Sequence, residues 1–171
     1  VYLCDNGKFK LLNSVTFFNS PAYYYLAITL NAGFKAGREG KIMGLAAHGN
    51  SDETKKIFKK RLIYNNKKNK FYYSGIYFSS EMVVLDKLLK EFSLKDIAAG
   101  LQKFTEEITL KYIKNLINKF KINDSKLVLS GGLFANVLLN QKISELKKIN
   151  EIYIHPHMGD GGLALGSAYA L

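Results

Sequence analysis

Apolar residues recur in two different rhythms along this chain, and each predicts its own kind of element. Between Leu94 and Phe120, the residues Ile97, Leu101, Phe104, Ile108, Tyr112, Leu116 and Phe120 return at intervals of three and four. One apolar stripe on a long helix has this spacing. Gln102 and Glu106 sit near the edges of that stripe. Elsewhere the runs are short and end at turn residues. Val1 to Cys4 and Lys8 to Phe17 flank Asp5-Asn6-Gly7, which predicts a hairpin because Asn and Gly accept positive φ. Ser20-Pro21 predicts a capped helix start, closed near Gly33. Shorter helices are predicted over 41–47, 52–64 and 80–92, with a strand at 70–73.

The last third of the chain repeats one arrangement twice. Lys126 to Ser130 is a buried-strand pattern followed by Gly131-Gly132 and a predicted helix over 133–146. Glu151 to His155 is a second strand, followed by the loop Gly159-Asp160-Gly161-Gly162 and a small-residue helix over 163–171. A β-α-β unit makes its strands parallel and brings both glycine loops to the carboxyl edge of the sheet, where open α/β sheets bind ligands. Glycines let backbone N–H groups approach a phosphate, and the helix behind adds unpaired donors. Gly131, Gly132, Gly159, Gly161 and Gly162 are therefore candidate nucleotide-binding residues, with Asn136 one turn inside the helix; a plain structural turn is the alternative. Asp160 is an acid inside a phosphate-type loop, where a cation would relieve repulsion, so it is a candidate metal ligand with a helix cap as its alternative. His155 and His157 are read as pocket or packing residues because Pro156 interrupts the alternation, with three ligands in His155-x-His157-x-x-Asp160 as the alternative.

Charge changes this picture little. The chain has 25 basic and 14 acidic residues, a net charge of +11, but 23 of the basic residues are Lys and 14 residues are Asn. A surface selected for phosphates recruits Arg for its bidentate fork. Eight basic residues cluster between Lys55 and Lys70, with no acid between Glu53 and Glu81. A solvated face is the expectation there, and nucleic acid is not expected as a partner. The single Cys4 excludes an internal disulfide, and no apolar run reaches the roughly 18 residues of a membrane span. These features predict a cytoplasmic α/β protein of one domain over residues 1–171, without a membrane segment.

Four ordered segments carry a resemblance. They are Glu39-Gly40-Lys41-Ile42-Met43-Gly44-Leu45-Ala46-Ala47-His48-Gly49, then Asp96-Ile97-Ala98-Ala99-Gly100-Leu101-Gln102, then Leu129 to Asn136 with Asn140, and Ile154 to Gly162. Together they resemble the O-carbamoyltransferases that modify nodulation factors and antibiotics, with their Kae1-like domain of the actin-like ATPase (ribonuclease H-like) superfamily. The resemblance implies half of such a domain, its carboxyl-terminal half, with a mixed sheet and flanking helices. It implies ATP and carbamoyl phosphate joined as carbamoyl-adenylate, a small-molecule hydroxyl as acceptor, and a divalent metal, iron or similar, in the full-length parent. Asp160 matches the family's late metal aspartate, Gly131, Gly132 and Asn136 its nucleotide loop, and Lys41 the lysine of its early motif. The early histidine pair and the adenylate-forming region are missing from these residues, so the chain alone is expected to be inactive. A noncatalytic ATP-binding module, a phosphotransferase of the same superfamily and a tRNA-modifying Kae1 relative are the competing readings.

Overall fold

A computed structural model describes residues 1–75, 78–122, 125–159 and 161–169, the side chains of 78–80 and 125 excepted. The hairpin forms as β1 (Tyr2–Asp5) and β2 (Lys8–Leu11), turned by Asn6 at φ 47° and Gly7 at φ 75°. β2 stops sooner than its apolar run, and Phe17–Asn19 is instead a 3-10 turn. α1 (Pro21–Asn31) starts where expected, the Ala22 N–H donating to the Ser20 hydroxyl at 3.2 Å, and Gly33 follows its end at φ 79°.

α2 (Glu39–Leu45) and a 3-10 turn (Ala46–His48) follow, then α3 (Asp52–Arg61). The predicted helix over 52–64 is three residues too long. Leu62 leaves helical geometry at φ −113°, ψ 109°, and β3 (Leu62–Asn65) pairs antiparallel with β4 (Lys70–Tyr73). Leu62-Ile63-Tyr64 carries the β-branched and aromatic side chains that pleated strands accommodate well. α4 (Phe78–Leu89) precedes α5 (Leu94–Lys119), a helix of 26 residues whose start is capped by Ser93 accepting from the Asp96 N–H.

α5 runs past two cores. Its amino-terminal half meets α1, α2 and α3 around Tyr24, Phe58 and Phe104, all buried, with the Phe58 and Phe104 rings stacked at 5.9 Å and Tyr24 edge-on to Phe58 at 6.2 Å. The Asp96-to-Gln102 segment explains itself here. A Cβ on Gly100 would sit 2.0 Å from Thr54 Oγ1, and one on Gly49 2.0 Å from the Lys95 carbonyl oxygen, so both close approaches need glycine. The Thr54 hydroxyl donates to the Asp96 carbonyl at 2.7 Å, and the Asn50 N–H donates to the Asp96 carboxylate at 2.6 Å. A second polar clamp closes this core: Arg61 Nε donates to buried Glu81 at 2.9 Å, its Nη2 reaches the other carboxylate oxygen, and the Tyr24 hydroxyl donates to the same acid at 3.1 Å.

The carboxyl-terminal half of α5 covers the second core, formed by Ile113, Ile117, Leu129, Leu139, Ile143 and Ile149. It lies under β5 (Ser125–Leu129), α6 (Val137–Ser144) and β6 (Ile149–Ile154). β5 and β6 are parallel, with Leu127 beside Ile152 and Leu129 beside Ile154, as the β-α-β reading requires. The predicted helix over 133–146 is broken: Gly132–Ala135 is a 3-10 turn, and Asn136 caps α6 behind it. α7 (Gly162–Tyr169) ends the described chain with no buried residue. The described strands form three two-stranded sheets, where the sequence suggested one mixed sheet. No helix of the described residues is long and apolar enough to cross a membrane.

Candidate functional site

The two glycine loops meet. Past the end of β5 and β6, the His155 N–H donates to the Leu129 carbonyl at 3.1 Å, extending the parallel ladder by one rung. The Gly131 N–H then donates to the Met158 carbonyl at 2.9 Å and ties the first loop to the second. Gly131 has φ 105°, ψ 151°, a conformation that side-chain-bearing residues strongly disfavour. A methyl placed on Gly131, Gly132 or Gly159 would meet nothing within 4 Å. Local packing therefore does not demand glycine at Gly132 or Gly159. Gly161 and Gly162 differ, because a Cβ there would lie 2.5 Å from the His157 ring and 2.1 Å from the His157 carbonyl oxygen. These two glycines let the loop fold back on His157, whose N–H donates to His155 Nδ1 at 3.2 Å.

Asn136 is placed behind the loop rather than on its open side. It is 4% exposed, and its Oδ1 accepts from the Leu139 N–H at 3.1 Å, capping α6. Its Nδ2 donates to Gln102 Oε1 at 2.8 Å and points at the Tyr25 hydroxyl at 3.4 Å. Gln102 in turn accepts from Tyr25 at 2.5 Å, and its Nε2 donates to Asn136 Oδ1 at 3.1 Å and to Glu106 Oε1 at 2.8 Å. Lys142 on α6 closes the chain by donating to Glu106 Oε2. Burial pushes the Tyr25 phenol well above its ordinary value, and the nearby Glu106 charge adds to this, so it stays protonated and donates. Asn140 supports the same turn, its Nδ2 donating to the Phe134 carbonyl at 2.7 Å.

Sequence reasoning marks Glu106 only as a stripe-edge residue and Gln102 as a stripe-edge residue that closes the second motif segment, and it misses Tyr25 and Lys142. The available signal is a pair of polar residues spaced by four on a helix with little solvent-facing surface.

Lys41 is exposed on α2, with its ammonium 4.7 Å from the Phe34 ring centroid, and no described hydrogen bond or ion pair links it to the glycine loops. Asp160 lies outside the described residues. Among the described residues, no group of three or more His, Cys, Asp or Glu is placed to hold a metal. Two cavities lie elsewhere. One of about 420 Å³, lined by Lys114, Asn118, Glu145 and Lys148 among others, is at the opposite end of the β5–β6 pair. One of about 230 Å³ lies between α1 and α4. In the basic stretch, Lys55 and Lys59 pair with Glu107 and Lys56 with Glu53, while Lys60, Lys67, Lys68 and Lys70 are exposed.

Comparison with known proteins places the chain. It is 31% identical over 153 residues to an uncharacterized protein of Methanocaldococcus jannaschii, covering 87% of this chain and 25% of that protein. It is 26% identical over 165 residues to the nodulation protein NolO of Bradyrhizobium diazoefficiens, covering 88% and 28%. Over 76 residues it is 38% identical to a tRNA N6-adenosine threonylcarbamoyltransferase of Ureaplasma parvum serovar 3, covering 44% and 23%. The chain thus spans about a quarter to a third of the length of the curated relatives it matches. The family model "Carbamoyltransferase N-terminus" matches residues 1–169. That model describes the amino-terminal part of these enzymes, which corrects the expectation of a carboxyl-terminal half. With both glycine loops at one sheet edge and a match along nearly all its length, this chain belongs to the carbamoyltransferase amino-terminal family.

Proposed function

We propose that the chain contributes the nucleotide-facing part of an O-carbamoyltransferase, which moves a carbamoyl group from carbamoyl-adenylate to a hydroxyl of a small molecule. The supporting observation is the Gly131-to-Met158 hydrogen bond, which joins two glycine loops with open space over Gly131, Gly132 and Gly159. The adenylate, made from ATP and carbamoyl phosphate, would lay its phosphate against the open backbone over Gly132 and Gly159. Asn136 holds that backbone from behind, and Lys41 would meet negative charge only if α2 and the loops face the same ligand.

For the metal, Asp160 stands as a candidate ligand by resemblance alone. Metal analysis of the full-length protein, wild type against Asp160→Asn, checks it.

The test of the function is transfer of labelled carbamoyl from carbamoyl phosphate, with ATP, to a small-molecule hydroxyl acceptor by the full-length protein. Gly132→Val should abolish nucleotide binding and transfer while the protein stays folded. Full binding in that variant would overturn the assignment of the loops. The partial likeness to a tRNA threonylcarbamoyltransferase favours one second reading, with tRNA as acceptor and the exposed lysines of the 60–70 stretch as its contact. Including tRNA among the acceptors decides between them.

A further inference from the structure

The hydrogen-bond chain behind the glycine loop has a direction. Lys142 Nζ donates to the Glu106 carboxylate, a group that can only accept. Gln102 must then turn its NH2 toward Glu106, which aims its carbonyl at Tyr25 and at the Asn136 NH2. With its NH2 committed, Asn136 must present Oδ1 to the Leu139 N–H, the first turn of α6. Reversing any amide in this series would set donor against donor inside the protein, where an unmade bond carries the full desolvation penalty. Glu106 is 4%, Gln102 5% and Asn136 4% exposed, so water offers little relief.

We propose that Glu106, acting through Gln102, is a positioning residue for the Gly131–Gly132 loop: its carboxylate fixes the Gln102 amide, Gln102 fixes Asn136, and Asn136 fixes the entrance of α6 that the loop leads into. The inference rests on the nucleotide reading of the loops for its functional half. Its structural half stands apart from that reading. The 3-10 turn over 132–135 is held at both ends, the Phe134 N–H donating to the Gly131 carbonyl at 2.9 Å and the Asn136 N–H to the Leu133 carbonyl at 3.2 Å. A turned Asn136 therefore moves the donors of the loop itself.

The experiment uses the full-length protein and two readouts. One is binding of a non-hydrolysable ATP analogue by calorimetry. The other is hydrogen exchange of the peptide covering 137–144 without nucleotide. Glu106→Gln lets the amides at positions 106 and 102 reverse, and should weaken analogue binding about tenfold, a loss of about 1.4 kcal/mol, with faster exchange in 137–144. The swapped pair Gln102→Glu with Glu106→Gln puts the acceptor-only group at position 102, where it accepts from Tyr25 and Asn136 while the amide introduced at position 106 donates. Binding and exchange should return to within about threefold of wild type, since Tyr25 and Asn136 Nδ2 again face an acceptor, although the 102–106 bond runs the other way and the bond to Asn136 Oδ1 is lost. Tyr25→Phe, a milder change that keeps the ring, should give an intermediate loss.

A Glu106→Gln protein with wild-type binding and exchange overturns the proposal, and so does a swapped pair as impaired as the single variant. If Glu106→Gln does not fold, the swapped pair and Tyr25→Phe decide by the same criteria. A wild type that binds no analogue sinks the nucleotide reading instead, and the exchange readout then judges the positioning role alone.

Discussion

The two cores of this chain are built on different terms. The first is rich in aromatic rings, packed among α1 to α5 and the β3–β4 pair, and joined by the Arg61–Glu81–Tyr24 clamp. The second is aliphatic and covered on one side only. Val128 and Tyr153, on the other face of the β5–β6 pair, are 68% and 53% exposed, and α7 exposes Leu163 and Tyr169 at 71% and 82%. The glycine loops stand on the open core. That contrast sets a closely packed region beside one that leaves backbone and apolar side chains exposed. α5 joins them, so the open region borrows rigidity from the closed one.

Mutations placed symmetrically in the two regions would break or sharpen the contrast. The largest effect is expected at Phe104, where Phe104→Ala should cost about 3–5 kcal/mol. Tyr153→Ala in the open region should change stability by under about 0.5 kcal/mol. Denaturant unfolding of this chain measures both, and a comparable loss at Tyr153 would show that its face is covered. Next come the glycines. Gly100→Ala drives a methyl into Thr54 and should cost roughly 1–3 kcal/mol, with thermal unfolding as the readout. Gly132→Ala meets open space and should leave the melting temperature within about 2 °C, the change expected for a few tenths of a kcal/mol.

Removing the α6 cap by Asn136→Ala should cost about 1 kcal/mol, and hydrogen exchange should locate the loss in 137–144 rather than in α1 or α3.

The smallest effect is a pH dependence. The N–H of Asn50 and the Ser93 hydroxyl hold the Asp96 carboxyl below the usual range. Burial works to raise Glu107, but Lys59 and Lys55 outweigh it and the carboxyl is lowered. A carboxyl lowered in the folded state contributes stability that is present above its unfolded value and lost as pH falls through the folded one. Stability should therefore be flat near neutrality and decline below about pH 4, less steeply in Asp96→Asn. An equal decline in that variant would remove Asp96 from the explanation.

Local patterns make part of this legible in the sequence. The hairpin at Asn6-Gly7, the cap at Ser20, the long α5 and the β-α-β unit each declare themselves within a few consecutive residues, and all are present. What escapes is set by distance along the chain. β3 merges with α3 in the sequence pattern because no Gly or Pro marks the change at Leu62; it is pairing with β4 that pulls the chain into a strand. The break at Asn136 looks like continuous helix, since a capping Asn reads as any polar residue until its partner Gln102, 34 positions earlier, is in place. The Gly and Ala residues around Gly49 signal close packing against another backbone, and Gly49 does approach the Lys95 carbonyl; Gly100 gives no local sign of its contact with Thr54, 46 positions earlier. For Gly131, Gly132 and Gly159 the sequence points to a ligand-facing role, which the proposed function carries forward; an added Cβ at each would meet nothing within 4 Å.

The length of α5 has a mechanical consequence. At about 1.5 Å per residue, its 26 residues make a rod of about 39 Å. A tilt of about 5° at its anchored end would displace the far end by about 3 Å, as much as the length of one hydrogen bond. The glycine contacts at Gly49 and Gly100, placed near the anchored end, therefore act as the bearing of a lever. A small error in fit there would be magnified along the rod, and the second core would receive it as misalignment.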